Sequence, residues 1–305
     1  MACCTLFEGL ALRERYRRLY SAEPRVFRAP GCVNLMGEDA PYNEGFVLAS
    51  AIGLCTRVIA HPAQPDRFTA DLENGRCRDF VDLNEGSRRA AGGWGEPLRN
   101  LVSLLRRSGG LPRGADLLIE DDFPDCAGLG ARASLEVAAA FALLGAAGKE
   151  LSRLEIAQLC RLAECARGAD PATADPFISC HGREGHALFL DCRSLEHHYV
   201  PIPDRVSLLI CHTGIRQREI TGMAAWNRAQ CEEGMQILSS CRPGVKGFRD
   251  VTPAQLATYR ELFEEATYRR CRHIVEENER VMKAGMALLD NDLRTAGALM
   301  NESHE

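Results

Sequence analysis

Three segments of this 305-residue chain carry residue types and spacings that could do chemistry. PDCAGLGARASLEVA sets a glycine-rich turn between a strand pattern, ADLLIED (115–121), and a strongly helical run, LEVAAAFALLGAAG. Exposed N–H groups and the dipole at such a helix start favour phosphate. Gly128, Leu129, Gly130, Ala131, Arg132 and Ser134 are the candidates for that contact, with an inert strand-to-helix turn as the alternative. RAPGCVNLMGEDAPYNEGFVL has a Pro-Gly-x-x-Asn-x-x-Gly-Glu run, which on its own reads as a tight loop on a strand edge. ADPFISCHGREGHALFLDCRSLE is the third segment. The 14 cysteines are scattered, with no C-x-x-C pair and no histidine at zinc-finger spacing, so a metal centre is not expected. With no secretory signal they read as free thiols in a reducing cytoplasm, most of them small core residues. The expected location is the cytoplasm.

The elements that must position these segments follow from pattern. Residues 9–20 have helical spacing and stop before Pro24. RVFRAPG begins a strand, 46–62 is rich in β-branched residues and reads as one or two paired strands, and DFVDL (79–83) is another. The 84–97 stretch is a glycine-rich loop. Residues 151–168 form an amphipathic helix with Ser152 as N-cap and Glu155 completing a capping box. HALFLDC (186–192) and RVSLLICHT (205–213) read as strands, and from about 217 the chain is helical. The mixture predicts an α+β fold, and the end of the strand-dense half places a domain boundary near 200. Composition agrees with a globular protein: 46% hydrophobic and 26% charged residues give ample core material. A net charge of -5 offers no electrostatic case for nucleic acid or an anionic membrane. The N-terminus has no continuous apolar region for a signal peptide, and no stretch approaches the ~20 apolar residues of a membrane span.

The three segments, in this order and spacing, resemble galactokinases, a branch of the GHMP small-molecule kinases. That family carries P-G-R-V-N-L-I-G-E-H-x-D-Y-N-x-G, then G-L-S-S-S-A-x-L-E-V-A, then D-Q-F-I-S with G-H-A-L-x-I-D-C-R-S-L. LICHTGIRQREITGMAAWNRAQCEE and LMNESHE also look like the family, so the resemblance runs from about residue 15 to the end. It implies a two-domain GHMP kinase fold. Residues 1–200 would form a ribosomal-S5-like nucleotide-binding domain, and 201–305 a partial ferredoxin-like α+β domain. The family activity is transfer of the γ-phosphoryl of Mg-ATP to galactose, so galactose, ATP and Mg²⁺ are the implied partners. Such transfer rests on positioning and charge neutralisation.

Residue by residue, the resemblance makes Asp175 the catalytic carboxylate, with a helix N-cap as the other reading. It puts Glu38, Asp39 and Tyr42 at the sugar and Gly128–Arg132 at the nucleotide. The departures fall on the same positions. The signature Arg is Cys32, which reads as a buried filler sooner than a reactive thiol, and a thiol supplies neither a permanent charge nor a bidentate fork. Asp39-Ala40-Pro41 replaces His-x-Asp, so of that group Glu38 alone survives. Gly130, Ala131 and Arg132 replace three serines, leaving Ser134, two residues on, as the candidate hydroxyl for Mg²⁺. Ala224 stands at a sugar-contacting Tyr, and Pro176 replaces Gln. The family's glycine-rich third motif is absent from these 305 residues. These departures imply little or no catalysis, a pseudokinase or a sugar- or nucleotide-binding relic. The alternative is an active sugar kinase with a rearranged site. With RVSLLICHT as the last strand candidate, the later helices are expected to have apolar faces with too little sheet to cover, and to be loose beyond Pro203.

Overall fold

The computed structural model describes residues 9–73, 78–82, 94–111, 113–124, 128–165, 174–211 and 217–305. Its centre is β2 (Phe46–Ala63), one continuous 18-residue strand. β1 (Phe27–Met36) runs antiparallel along it. The first residues of β2 pair with β6 (His186–Asp191), and its last eight pair with β5 (Gly114–Asp121). β3 (Phe68–Glu73) lies parallel to β5, β4 (Arg78–Asp82) borders β3, and β7 (His197–Pro201) borders β6. The result is a mixed seven-stranded sheet.

Its core is covered by α2 (Glu96–Arg107), α3 (Ala131–Ala146), α4 (Arg153–Cys165) and the short α5 (Asp175–His181). α3 is apolar nearly all round, and Val137–Ala140 and Leu143 are essentially inaccessible, as a helix buried on every side must be. α4 begins as its sequence requires: Glu155 N–H donates to Ser152 Oγ, and Ser152 N–H donates to Glu155. α1 (Leu10–Tyr20) packs Leu12 and Tyr16 on Ile59 and Leu118. The ten described cysteines are free thiols and six are buried, so they act chiefly as core filler. Among the described residues no helix is long and apolar enough to cross a membrane.

Two expectations are corrected. RVSLLICHT is not a strand over its described part: residues 205–211 make no sheet pairing, and Leu208, Leu209 and Ile210 are exposed. Its β-branched and apolar pattern has no strand beside it to complete the ladder. Nor are the later helices without cover. α6 (Gln217–Cys241) and α8 (Glu265–Leu289) close a second core around Leu238, Phe248, Leu256, Cys271 and Ile274, with α7 (Pro253–Thr258) capping it. The other side of α8, with α9 (Leu293–His304), covers Met36, Leu48, Ala187 and Val200 of the sheet. The helices supply much of one another's apolar cover, while Met282, Met286 and Leu289 of α8 and Met300 of α9 stay exposed, so the expectation of uncovered apolar faces holds for that stripe. Parts of the sequence reading at 84–93, 166–168 and 212–213 lie outside the described residues, as does the side chain of Ala224.

An ion-pair network fastens the helical half to the sheet. Arg249 grips Asp191 at 2.5 and 2.9 Å and stacks 4.0 Å over the Phe46 ring. Arg193 holds Asp250 at 2.8 and 3.0 Å and Glu44 at 2.8 Å. Bidentate pairs of this kind are the strong ones. The Arg249 bonds and charge, with backbone N–H groups of residues 193 and 194, outweigh burial and hold the Asp191 carboxyl down at about 2.

Two outcomes follow from this packing. Amide exchange across α8 should be as slow as across β2, while 205–211 exchanges fast; fast exchange over all of 265–289 would refute the second core. Because Asp191 is depressed when folded, its contribution is complete above the ordinary carboxylate pKa and is lost as pH falls through about 2. Arg249→Ala should therefore cost on the order of 1 kcal/mol at pH 7, after allowance for solvent screening, and much less at pH 2. Urea midpoints at both pH values measure this.

Candidate active site

The register of β1 against β2 slips between Pro30 and Cys32 and again between Asn34 and Met36. Bulges of this kind re-aim side chains and recur beside functional sites. Here they bracket a cleft built from the end of β1, the starts of α3 and α5, and the loop 37–46.

Cys32 is 3% exposed, and its N–H donates to Leu129 O at 3.0 Å. Gly130 closes against it: a Cβ there would lie 2.6 Å from Cys32 Sγ, and φ of +68° independently favours glycine. α5 is pinned to β1 by Ser179 Oγ, which donates to Pro30 O at 2.7 Å. Pro176 fits because its missing N–H falls in the first turn of α5. This arrangement brings Asp175 to Cys32, and the thiol donates to the carboxylate. Burial pushes the thiol well above its ordinary value, and the charge of Asp175 adds to that. Burial also raises Asp175, opposed by the thiol hydrogen bond and the positive charge of Arg132.

Glu38 follows Gly37, whose φ of +101° favours glycine and where an added Cβ would lie 2.5 Å from Phe46 O. Glu38 reaches solvent at the cleft edge. Its surroundings raise its pKa by burial first, then by Asp39, with the charges of Asp175 and Glu277 adding and a hydrogen bond from Asn34 opposing. Cys32, Asn34, Glu38, Arg132 and Asp175 thus share one electrostatic environment.

The other sugar candidates sit differently. Asp39 adopts a left-handed conformation, φ 61°, and its carboxylate lies 2.6 Å from Arg270 of α8, which also bonds Asn227 Oδ1 at 2.9 Å. Its charge is turned to the helices and answered there. Tyr42 has its hydroxyl buried beside Asp39 and Cys231, with Arg228 over its ring, and burial raises its pKa. Both brace the loop from behind. Ser134 is 0% exposed; its hydroxyl donates to Ala29 O at 2.7 Å, accepts from Thr56 N–H at 2.9 Å and lies 3.0 Å from Thr56 Oγ1. All its hydrogen-bonding capacity is used inside the core, so it is a strut between α3, β1 and β2 and not a metal ligand. Gly128 and Arg132 are exposed on the loop, while Leu129 is tucked beneath it.

Sequence reasoning missed Asn34 and the α8 residues Arg270, Glu277 and Asn278. The signal was present: Ile274, Glu277, Asn278 and Val281 share one face at i, i+3, i+4 and i+7, and all are buried, so two polar side chains stand on an apolar stripe. A separate cleft of about 810 Å³ lies along α8 and the end of α9, but its cations are matched by carboxylates, as in Arg272–Glu276 and Arg280–Glu276.

A mixed sheet backed by helices, with a glycine-rich helix start facing a carboxylate, is the architecture of a GHMP kinase. The family description "GHMP kinases N terminal domain" matches residues 97–183, and "Galactokinase galactose-binding signature" matches 14–62. The galactokinase of Roseiflexus sp. (strain RS-1) is 38% identical over 304 residues, covering 96% of this chain and 75% of that protein. The galactokinase of Chloroflexus aggregans (strain MD-66 / DSM 9485) is 36% identical, covering 98% and 77%. The crystal structure of Lactococcus lactis galactokinase complexed with galactose superimposes with a TM-score of 0.80 at 23% identity, over 96% of this chain and 77% of that one. This chain belongs to the galactokinase family.

The family uses ATP and Mg²⁺, and the donor set here does not fit the metal. The loop positions 130–132 offer no oxygen side chain, the Ser134 hydroxyl is consumed, and the nearby Glu164, 4% exposed, is already engaged. Among the described residues no group of three His, Cys, Asp or Glu side chains could hold a metal ion.

If the cleft takes galactose, Glu38→Gln should weaken it by about tenfold or more, since a polar group in a desolvated site is costly to leave unmatched. Asp39→Asn should change affinity by no more than about twofold while lowering the melting temperature, because Arg270 loses its partner. Calorimetry and thermal melts decide this; an equal or larger affinity loss for Asp39→Asn would reverse the two assignments.

Proposed function

We propose that this galactokinase-family chain binds a hexose, with galactose the first candidate, and a nucleotide, while transferring phosphoryl groups little or not at all. The reading is supported above all by Cys32: the side chain beside Asp175, where the family pattern has Arg, is a buried thiol without charge. Phosphoryl transfer is catalysed by positioned charge, and each missing electrostatic partner typically costs ~10²–10³ in rate. Such losses do not simply multiply when residues act together, yet the Arg and the Mg²⁺ hydroxyl are both absent. The raised Asp175 and Glu38 pKa values fit a cleft that holds neutral, hydroxyl-bearing ligands better than it activates a nucleophile. The cytoplasm, where free thiols persist, is the compartment this reading implies.

One observation favours the second reading, a working kinase with a rearranged site. Arg132 brings a cation to Asp175 from the loop side, and that charge could do part of the work of the missing Arg.

A coupled assay with galactose and Mg-ATP should show turnover indistinguishable from background, against about 1–100 s⁻¹ for ordinary kinases. A rate in that range would establish the second reading. Cys32→Arg alone should stay inactive, because it restores neither the metal hydroxyl nor the sugar contacts. A galactose-dependent rise in melting temperature separates a binding protein from a fold that has merely outlived its site.

A further inference from the structure

We infer that Arg132 takes the place of the divalent cation, so that this chain binds a nucleoside triphosphate through its phosphates as the metal-free anion. The inference deepens the nucleotide part of the function proposed above and rests on it.

Three observations carry it. The first is what has happened to the metal's ligands. The nearest hydroxyl, Ser134, is 0% exposed and held by Ala29 O and Thr56, so it cannot turn outward without breaking the contact between α3 and the sheet. Glu164 is buried and engaged, and the Asp175 carboxylate is occupied by the Cys32 thiol. Mg²⁺ demands an octahedral shell of oxygens and gives up water reluctantly. The chain offers it no free oxygen side chain at the loop.

The second is where the positive charge has gone. Position 32 has no cation, whereas position 132, in the first turn of α3, has one that is exposed. Its charge reaches Asp175, which lies beside Cys32. The third is the seating of the described loop residues, 128–132. Gly130 keeps its left-handed conformation and its close seat on Cys32, and Cys32 N–H still holds Leu129 O. The frame on which phosphates would lie has survived while its counter-ion has changed from a metal to a side chain.

A guanidinium suits this exchange. It is permanently charged and presents a planar fork of donors that matches two phosphate oxygens. It also makes Mg²⁺ a competitor: magnesium occupies the same oxygens, lowers the charge Arg132 is attracted to, and brings a hydration shell the cleft cannot replace.

The test is calorimetry on the whole chain with ATP in EDTA, ATP with excess Mg²⁺, and AMP in EDTA. ATP in EDTA should bind, Mg²⁺ should weaken it by about tenfold, and AMP should bind more weakly still, since a fork on two phosphate oxygens is the contact being removed. Arg132→Ala should lose about tenfold for ATP in EDTA, and Arg132→Lys should recover part of that. Arg132→Ser, which returns a hydroxyl to the loop, should no longer be weakened by Mg²⁺. Binding that requires Mg²⁺, or that is unchanged in Arg132→Ala, overturns the inference while leaving nucleotide binding standing. No binding of ATP under either condition overturns the inference and the nucleotide half of the proposed function together, with the galactose melt reporting separately on the sugar half.

Discussion

Glu277 is 0% exposed, and a buried carboxylate persists only when its oxygens are filled. Here three different parts of the chain fill them. Gly37 N–H donates to Oε1 at 2.8 Å from the sugar-side loop, Ser303 Oγ donates to the same oxygen at 2.8 Å from α9, and Arg280 Nε reaches Oε2 at 2.7 Å from the next turn of α8. The neighbouring Asn278 accepts from Phe46 N–H at 2.9 Å and donates to Ile274 O. Loop 37–46 is thereby held at its first residue and its last by two consecutive side chains of one helix. Arg270, two turns earlier on that helix, holds the middle through Asp39. Removing one partner from a buried charge typically costs about 3–5 kcal/mol, which is comparable with the whole stability of many domains.

This dependence explains how the cleft keeps its shape while its chemistry changes. The residues that form loop 37–46 are answered from α8, and those that seat the phosphate loop are answered from β1 and α5. The contact with Leu129 runs through the Cys32 backbone N–H, and the close seat of Gly130 and the hydrogen bond to Asp175 run through the Cys32 sulfur. A fold can outlive its site whenever the positioning contacts and the reacting groups are carried by different residues.

Much of this was legible in the sequence because local rules sufficed. The β-branched run at 46–62, the Ser152–Glu155 capping box and the apolar run of α3 each specify their element without reference to distant residues. What was not legible depends on partners far away in the chain. RVSLLICHT has a strand's composition, but a strand needs a neighbour, and the pattern of one segment does not reveal whether another is there. β3 and β7 are short, and HHYVP in particular lacks an apolar alternation. In the site, Asp39 and Ser134 were read from their type and position. Their real partners, Arg270 at a separation of 231 residues and Thr56 at 78, decide what they do. Proximity to a motif gives a residue's location, whereas satisfaction of its hydrogen bonds gives its role.

The same logic separates the two carboxylates that stayed in the cleft. Asp39 is paired with the guanidinium of Arg270, 2.6 Å away. Burial raises both Glu38 and Asp175; Asp39 and Asp175 raise Glu38 further and a hydrogen bond from Asn34 opposes this, while at Asp175 the Cys32 thiol and the charge of Arg132 oppose the burial effect. The family pattern has Arg where this chain has Cys32, and a guanidinium beside a carboxylate favours its anion. A thiol there supplies no charge, and Arg132 at the start of α3 is the cation whose charge reaches Asp175. Burial makes the Asp175 anion costlier to form than that of an exposed carboxylate, and the Cys32 hydrogen bond and the charge of Arg132 offset part of that cost. The charge of Arg132 thus bears on Asp175 from the same helix start at which exposed N–H groups favour an anion.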